Sequence, residues 1–551
     1  HAAGVVIAPK PLYEYVPTQF DPKGGKIITQ YDMYSVEDAG LLKFDFLGIR
    51  NLSILADSIS LVKRFYNINI DIERIPLDDK KTFALLANGQ TEGLFQLNGD
   101  GMTRYLKELK PTSIHDINAM VALYRPGPME SIPEYIKRKH DRKLVKYLDP
   151  RMKKFLGESY GLIVYQDDLL FCAIELAGYN WEEADKFRKA VGKKIPKEMA
   201  AQREKFTQGI ISNGQTPEFA EKLWKIFEPF QAYGFNKAHA ASYGKVAYQT
   251  AYMKANYPVE YMTAILTAES GDIEKISEII NECKNMNIPV LPPNINESYG
   301  GFTAIRDEKK NISQKIRFGL YTIKNLGTDI ADAIIAERKL NGKFKSITDF
   351  LDRIKHKNLN KKSMEALIKS GSMDEWNDRG VFLFNLEDML LYNKELNKNA
   401  NQTSLFGGLA QSDVSIFKLK DTLPATQAEK LLWEKELLGL YISGHPLDRL
   451  RDKLESRDMN IKKVKEKMGN GMQVTIAGII ETSRPIITKS NDRMAFLKIS
   501  DLTGSIEAVA FPSIFKESVE ILVPEKCIAL SGKVSLRNGE KSIIIEAVKE
   551  I

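Results

Sequence analysis

The sequence predicts a multidomain α+β protein with a short strand-containing first segment, a long helical middle region and a β-rich C-terminal domain. Three observations lead to this prediction. The chain has 551 residues, 43% hydrophobic and 27% charged, which is typical of a folded protein with several cores. Apolar residues recur at helical spacing from Asn51 onward, beginning with Leu52 and Leu55. From Met472 the pattern changes to the alternation typical of strands.

Charge and cysteine content narrow the classes of function. The formal net charge of +7 is modest for 551 residues, so contacts with a polyanion must depend on local basic patches. Cys172, Cys283 and Cys527 lie far apart without metal-ligand spacing, which predicts buried, reduced thiols and a cytoplasmic protein. No apolar run is long enough to span a membrane, so we expect no membrane partner.

Residues 41–50 carry the most informative motif, LLKFDFLGIR. Apolar residues surround Lys43 and Asp45, which would project from one face of a β-strand because they are two positions apart. Burial of such charges requires a partner or a metal ion. Two interpretations follow: a buried Lys–Asp structural pair, or a carboxylate that holds Mg²⁺ beside a lysine that contacts phosphate.

The surrounding motifs favour the second interpretation. HAAGVVIAP at residues 1–9, TQYDM at 29–33, VEDAG at 36–40 and KFDFLG at 43–48 closely resemble the palm of the bacterial DNA polymerase III α subunit family. These are C-family replicative polymerases, and the resemblance extends through nearly the whole chain. In that family three catalytic carboxylates hold two Mg²⁺ ions, and Asp45 matches one of them. The other two belong to a PDxDxDF motif that this sequence lacks, so we expect them upstream. The resemblance implies the C-terminal half of a polymerase, with part of the palm at residues 1–56.

Residues 57–300 are predicted to be mostly helical, and the resemblance implies that they form the polymerase fingers. Matching blocks are GLFQL, ALYRPGP and YGLIVYQ, which begin at Gly93, Ala122 and Tyr160. Arg125 lies in the rigid Pro-Gly-Pro turn of the second block. It is a candidate to position template or nucleotide, with bracing of the turn as the alternative.

The block KFRKAVGKK, residues 186–194, concentrates cations with few acids nearby. Such a block suits an incoming deoxynucleoside triphosphate (dNTP), whose charge must be neutralised, and a solvated basic face is the alternative. The family has two consecutive arginines here. This chain has Arg188 followed by Lys189, and lysine keeps the charge but loses the forked geometry. Together with Lys43, these residues are the predicted triphosphate contacts.

The block YGFNKAHAASY, residues 233–243, adds an aromatic ring and a Lys–His pair. Lys237 is a candidate phosphate contact, and Tyr233 is a candidate for stacking on a base. His239 has two candidate roles, phosphate contact or a structural hydrogen bond. All three are assigned to nucleotide binding.

Residues 301–395 contain two helix–turn–helix units that resemble a tandem helix-hairpin-helix. Lys324 and Gly327 mark the first turn, and Lys361 and Lys362 open the second helix pair. Such modules present backbone N–H groups at helix N-termini to duplex phosphates, without reading bases. Further basic residues flank both units: Lys343, Lys345, Arg353, Lys355 and Lys357. This segment is the predicted duplex-DNA contact.

Within residues 396–411, the run NANQTSLFGG at 399–408 has Leu405 and Phe406 as its only large apolar residues, which predicts a loop that cannot bury itself. Here the sequence QTSLF fits the pentapeptide with which bacterial polymerases bind the β sliding clamp. Leu405 and Phe406 would fill an apolar pocket, and Gln402 would hydrogen-bond at its rim. Residues 412–471 are predicted to form a helical connector.

Residues 472–551 show five short apolar runs separated by turns and resemble an OB-fold β-barrel. OB-folds often bind single strands through aromatic and basic residues. Phe496 and Phe511 are the aromatic candidates, with burial in the barrel core as the alternative.

Three functions are to be considered for the chain as a whole. The first is part of a Mg²⁺-dependent polymerase that adds a dNTP to a primer on template DNA and works with the sliding clamp; the clamp loader and a proofreading subunit are further candidate partners. The second is a non-catalytic DNA- and clamp-binding platform, because one carboxylate cannot hold two metal ions. The third is another enzyme built on hairpin and OB modules, such as a DNA ligase. A ligase would need a KxDG-type lysine motif, which is absent here.

Overall fold

The computed structural model describes residues 4–22, 24–46, 48–193, 196–227, 234–307, 312–401, 417–455, 459–488, 490–537 and 540–551. The chain divides into two compact units, His1–Ile265 and Leu266–Ile551.

The first unit begins with two small antiparallel sheets and a three-residue core. Strand β1 (Gly4–Ile7) pairs with β4 (Leu42–Asp45), and β2 (Thr18–Phe20) pairs with β3 (Ile27–Thr29). Helix α1 (Met33–Asp38) lies between β3 and β4 in the chain. It begins where the carboxylate of Asp32 accepts hydrogen bonds from two backbone N–H groups of the first turn. The core consists of Val16, Val36 and Leu41.

Helices form the rest of the first unit. Helix α2 (Arg50–Tyr66) confirms the helical pattern predicted from Asn51, but it buries Ile54 and Leu55 while Leu52 stays exposed. The helices that follow are α3 (Lys80–Ala87), α4 (Asp100–Leu109), α5 (Ile114–Leu123), α6 (Ile132–His140), α7 (Lys153–Leu156), α8 (Gln166–Ala177), α9 (Trp181–Lys193), α10 (Pro196–Ser212), α11 (Pro217–Phe227), α12 (Lys237–Asn256) and α13 (Pro258–Ala268), whose last three residues belong to the second unit.

An aromatic core fixes the orientation of α9 against α10 and α11. Phe187 of α9 is fully buried and stacks on Phe206 of α10, with 5.4 Å between ring centroids and 6° between ring planes. Trp224 and Phe227 of α11 close the same cluster. The polar residues of α9 on either side of Phe187 are therefore directed away from this core.

Before the C-terminal barrel, the second unit contains a three-stranded sheet and two helical hairpins. The sheet has the order β5 (Val290–Leu291), β7 (Ile312–Arg317), β6 (Thr303–Asp307). Ile330 and Ile334 of α15 are fully buried, and their spacing of four places them on one face of the helix. The helices that precede the C-terminal strands are α14 (Ile273–Asn285), α15 (Thr328–Asn341), α16 (Ile347–Arg353), α17 (Lys361–Lys369), α18 (Arg379–Phe384), α19 (Leu386–Asn401), α20 (Gln427–Leu438), α21 (Arg451–Glu455) and α22 (Ile461–Lys467).

A buried ion cluster joins α18 to α20. Arg379 is 2% exposed, and its Nη2 donates to Oε1 of the fully buried Glu434 at 2.9 Å. The same nitrogen donates to Asp374 at 2.8 Å. The second oxygen of Glu434 accepts the N–H groups of Ile442 and Ser443, each at 2.9 Å. Every oxygen of this carboxylate therefore has a donor.

The C-terminal residues form the predicted five-stranded barrel. Its strands are β8 (Gln473–Ile487), β9 (Arg493–Asp501), β10 (Gly504–Ala510), β11 (Cys527–Arg537) and β12 (Glu540–Glu550), and helix α23 (Pro512–Ser518) lies between β10 and β11 in the chain. The barrel order is β10-β12-β11-β8-β9. Neighbouring strands are antiparallel except β10 and β12, whose parallel pairing closes the barrel.

The three cysteines, Cys172, Cys283 and Cys527, are buried, as predicted from the sequence. Among the described helices, none combines the length and the apolar character that crossing a membrane would need.

Candidate functional site

The strand that carries Asp45 has the predicted conformation, but its apolar residues are not buried. In the β1–β4 pair Lys43 lies opposite Val6, so the two share a face. Val6 packs against the small core, and Lys43 is half-buried. The alternate residues Leu42 and Phe44 are 65% and 43% exposed, which corrects the expectation of a buried apolar run around the charges. The backbone of Asp45 lies opposite that of Gly4 in the same strand pair.

A metal site is not formed by the described residues alone. Nowhere in the described ranges do three or more His, Cys, Asp or Glu side chains come together in a way that could hold a metal ion. The role of Asp45 as a metal ligand therefore stays a prediction.

Three of the sequence blocks meet around Gln166 at the start of α8. The backbone N–H of Gln166 donates to the carbonyl oxygen of Phe235 at 2.9 Å, and its Oε1 accepts from Nη1 of Arg188 at 3.2 Å. Gly234 permits this approach, because a Cβ at that position would lie 2.7 Å from Cγ of Gln166. The turn before α12 and the cationic side of α9 are thus linked through one glutamine.

A ladder of ring contacts, tilted or edge-to-face, continues from this turn along α12. The guanidinium of Arg125 lies 4.1 Å from the ring centroid of Phe235, a cation–π contact. The His239 ring lies 5.2 Å from Phe235 and 4.2 Å from Tyr243, and Tyr243 lies 5.2 Å from Phe95. Arg125 and His239 are both exposed, so their edges are accessible to a ligand.

Lys237, the first residue of α12, is held by acidic groups. Its backbone N–H donates to Asp167 Oδ2 at 2.9 Å, and its ammonium lies 3.2 Å from Glu158 Oε2. The same oxygen of Glu158 lies 3.3 Å from Nδ1 of His115. The ammonium of Lys237 is also 5.7 Å from the Tyr165 ring. Lys237 is thus placed beside the Gln166 cluster by a network that could not be inferred from its own block.

Two cations of α9 share an acid that lies one position before the block at residues 186–194. Arg188 donates from Nε at 3.0 Å and from Nη2 at 2.8 Å to Oδ1 of Asp185. The ammonium of Lys189 lies 2.8 Å from Oδ2 of the same carboxylate. Hydrogen bonds from Lys189 and Arg188 lower the pKa of Asp185. Asp185 therefore stays ionised and holds both predicted triphosphate contacts.

Two buried acids, Asp116 and Asp168, accept hydrogen bonds from residues next to this site. Asp116 is fully buried and accepts hydrogen bonds from the hydroxyls of Tyr135 at 3.2 Å and Tyr160 at 2.8 Å. Asp168 accepts the N–H groups of Val164 and Tyr165, both at 2.8 Å. Burial raises the pKa of Asp168 to about 6.

The predicted site residues that fall outside the described ranges are Tyr233, Gln402, Leu405 and Phe406. Of the other predicted contacts in the first unit, the structure brings Arg125, Arg188, Lys189, Lys237 and His239 into one neighbourhood through Gln166 and Phe235. Gln166 and Phe235 lie inside two of the motifs but had no predicted role, and Asp185 lies one residue before the block at 186–194. The helical spacing of Asp185 from Arg188 and Lys189 was the signal for that pairing.

In the second unit three of the four predicted DNA contacts lie at helix starts, and Lys324 lies four residues before α15. Gly327 precedes α15, and Lys361 and Lys362 are the first two residues of α17. Lys324, Lys361 and Lys362 are exposed, and the ammonium of Lys361 lies 3.1 Å from Glu387.

Arg353 differs from its basic neighbours. It pairs with Glu337 and Asp349 at 3.1 Å each and lies 4.3 Å from the ring centroid of Phe344. These contacts make Arg353 an internal brace between α15 and α16 rather than part of an exposed basic surface.

Both aromatic candidates of the C-terminal domain are exposed, so the alternative that they are buried in the barrel core is wrong. Phe496 of β9 is 41% exposed and lies between Arg484 of β8 and Val509 of β10 in the strand register. Phe511 is 45% exposed and immediately precedes α23. Phe496 is therefore an exposed ring on a sheet face with an arginine as its cross-strand neighbour.

Four family models match the chain. Residues 51–214 match the bacterial DNA polymerase III alpha subunit finger domain, and residues 1–48 match the bacterial DNA polymerase III alpha NTPase domain. Residues 287–380 match a helix-hairpin-helix motif, and residues 474–551 match an OB-fold nucleic acid binding domain. The chain thus has the domain classes of a nucleic-acid-handling protein.

Relatives match the chain along almost all of its length. The DNA polymerase III subunit alpha of Thermus aquaticus is 41% identical over 538 residues, which cover 95% of this chain and 43% of the relative. The proteins of the same name from Aquifex aeolicus and Borreliella burgdorferi are 40% and 39% identical and cover 97% and 100% of this chain. This chain spans 44% and 48% of their lengths, respectively. The chain belongs to the bacterial DNA polymerase III α subunit family and corresponds to less than half of these members.

Proposed function

We propose that this chain supplies the nucleotide-binding and DNA-binding parts of a bacterial replicative DNA polymerase, which extends a primer on a DNA template. The observation that carries the proposal is the convergence of Arg125, Arg188, Lys237 and His239 around Gln166 and Phe235. Three cations on rigid helices and turns suit a polyanionic ligand, and the neighbouring rings offer stacking surfaces for a base.

In this proposal Arg188 and Lys189 contact the triphosphate from α9, and Lys237 contacts it from α12. Arg188 is the residue suited to forked contact with phosphate oxygens, whereas Lys189 acts as a point charge. Arg125 and His239 border the nucleotide through the ring ladder, Lys43 approaches it from β4, and Tyr233 is proposed to stack on a base. Phosphoryl transfer depends mainly on positioning and charge neutralisation, which are the tasks of such residues.

We assign Asp45 as one ligand for catalytic Mg²⁺, with the remaining carboxylates of the two-ion site supplied from outside this chain. Mg²⁺ supplies neutralisation of the phosphates and activation of the primer hydroxyl when it is bound. The support for this assignment is the KFDFLG motif and the strand position of Asp45 at the end of β4.

The second unit is proposed to hold DNA. Gly327, Lys324, Lys361 and Lys362 would contact duplex phosphates from the starts of α15 and α17. The exposed ring of Phe496, with Arg484 beside it, is proposed to stack on single-stranded template.

Docking of the β sliding clamp on Gln402, Leu405 and Phe406 is proposed from the sequence alone. Contacts with a clamp loader or a proofreading subunit, and a cytoplasmic location, are proposed on the same family grounds.

A non-catalytic DNA- and clamp-binding platform is the second candidate function for the chain as it stands. Its support is that Asp45 is the one residue here that matches a catalytic carboxylate of the family, and one carboxylate cannot hold two metal ions. Under that candidate the catalytic role of Asp45 disappears, but the contacts of the second unit with DNA remain.

The deciding experiment is Mg²⁺-dependent primer extension by the full-length polymerase that contains this chain, with and without Asp45→Asn. We expect the substitution to abolish extension while the affinity for primer–template, measured by fluorescence anisotropy, stays within about twofold. Asp38→Asn is the matched control, because it removes an exposed carboxylate of α1 and should leave extension intact. Undiminished extension by Asp45→Asn would make Asp45 a structural partner of Lys43 and favour the platform.

A further inference from the structure

The contacts of Asp185 suggest a role for an acid inside the cationic side of the nucleotide site. The carboxylate of Asp185 forms ion pairs with two cations. Its Oδ1 accepts hydrogen bonds from two nitrogens of Arg188, and its Oδ2 lies 2.8 Å from the ammonium of Lys189. The three side chains are 40%, 30% and 59% exposed, respectively, so a ligand in solvent can reach all of them. The position of the carboxylate between the two cations is the position that an incoming phosphate would need.

We propose that Asp185 is an affinity-determining residue whose carboxylate occupies the phosphate position on Arg188 and Lys189 and must be displaced when a dNTP binds. This inference rests on the proposed function, because it takes these two cations to be triphosphate contacts. Asp185 keeps the pair in place without a nucleotide, and it lowers the affinity for the triphosphate because its ion pairs must break.

The packing of α9 restricts how far the carboxylate of Asp185 can move away from the two cations. Phe187 is fully buried and stacked on Phe206, so the rotation of α9 is fixed and Asp185 stays one turn before its partners. Arg188 has a second anchor in Oε1 of Gln166 at 3.2 Å. Loss of the Asp185 charge therefore leaves Arg188 positioned, and an asparagine retains an oxygen that can accept from it.

The test compares Asp185→Asn with a matched ion pair on the same helix. Glu182 pairs with Lys186 at 2.7 Å, and neither residue belongs to the cluster. In primer extension by the full-length polymerase at low salt, we expect Asp185→Asn to lower the KM for dNTP about threefold, the scale of exposed ion pairs. The kcat should stay within about twofold, and the effect on KM should shrink as salt rises. Glu182→Gln should change neither constant.

Two further results separate this inference from the proposed function. Arg188→Gln and Lys189→Gln should each raise the KM for dNTP. If neither does, the triphosphate assignment fails and the inference fails with it. If both do while Asp185→Asn raises the KM or leaves it equal to that of Glu182→Gln, the triphosphate assignment stands and Asp185 is only a structural support.

Discussion

The buried carboxylate of Glu434 gives the sharpest stability prediction. In Glu434→Gln the volume is unchanged, but one side-chain oxygen becomes an NH2 group. That group must face either Arg379 or the N–H groups of Ile442 and Ser443, and all of these are donors. Whichever way the amide turns, two donors face each other in a site with no exposure to water.

The magnitude follows from what each orientation loses. With the NH2 group toward Arg379, a charge-assisted hydrogen bond of about 1.5–3 kcal/mol is lost, and the guanidinium keeps only Asp374 as its acidic partner. Breaking a buried ion pair by changing one partner typically costs about 3–5 kcal/mol. Because Asp374 remains, we expect a loss near the lower end, about 3 kcal/mol.

Urea unfolding of the chain, followed by circular dichroism, measures this loss in the transition that involves the second unit. The control is Glu436→Gln, an exposed acid on the same helix, which should change the unfolding free energy by less than about 0.5 kcal/mol. Equal unfolding midpoints for Glu434→Gln and Glu436→Gln would refute the reasoning.

Three further predictions concern the barrel, the scaffold and one close backbone approach. Phe496→Ala should weaken binding of an oligo(dT) strand by about 1–3 kcal/mol in an anisotropy titration, whereas Phe511→Ala should not. Because burial raises the pKa of Asp168 to about 6 from about 4 in the unfolded chain, its carboxyl stabilises the fold below pH 4, and this contribution of about 3 kcal/mol is lost as the pH rises through 6. Urea titrations across pH 4–7 should show that loss relative to Asp168→Asn; a constant difference would contradict it. Gly319→Ala places a Cβ 2.3 Å from a backbone carbonyl oxygen and should cost at least about 2 kcal/mol in thermal unfolding, while Gly271→Ala, with open space around it, should cost less than about 1 kcal/mol.

Local patterns in the sequence were enough to predict the elements with strong periodicity. The helix from Asn51 and the five strands after Met472 were confirmed, because alternation and helical spacing report directly on which face is buried. The pattern was less reliable for Leu42 and Phe44. An apolar residue in a strand is compatible with either face, and here the face toward the small core belongs to Val6 and Lys43.

The candidate site was predictable residue by residue but not as an arrangement. The contact between Gln166 and Phe235 joins positions 69 residues apart, and no local pattern reports on such pairing. The sharing of Asp185 between Arg188 and Lys189 could have been predicted, because spacings of three and four on a helix bring side chains together. Exposure of Phe496 depends on the strand register of the barrel, which the sequence pattern alone does not determine.

The parallel pairing of β10 with β12 has a consequence for synthesis of the protein. Strand β10 ends at Ala510, but its second neighbour is complete only at Glu550, 40 residues later. At a synthesis rate of about 5–20 residues per second, this leaves the outer edge of β10 uncovered for about 2–8 s. An uncovered strand edge invites pairing with other chains. The nascent barrel therefore passes through a short period in which it depends on dilution or chaperones to avoid aggregation.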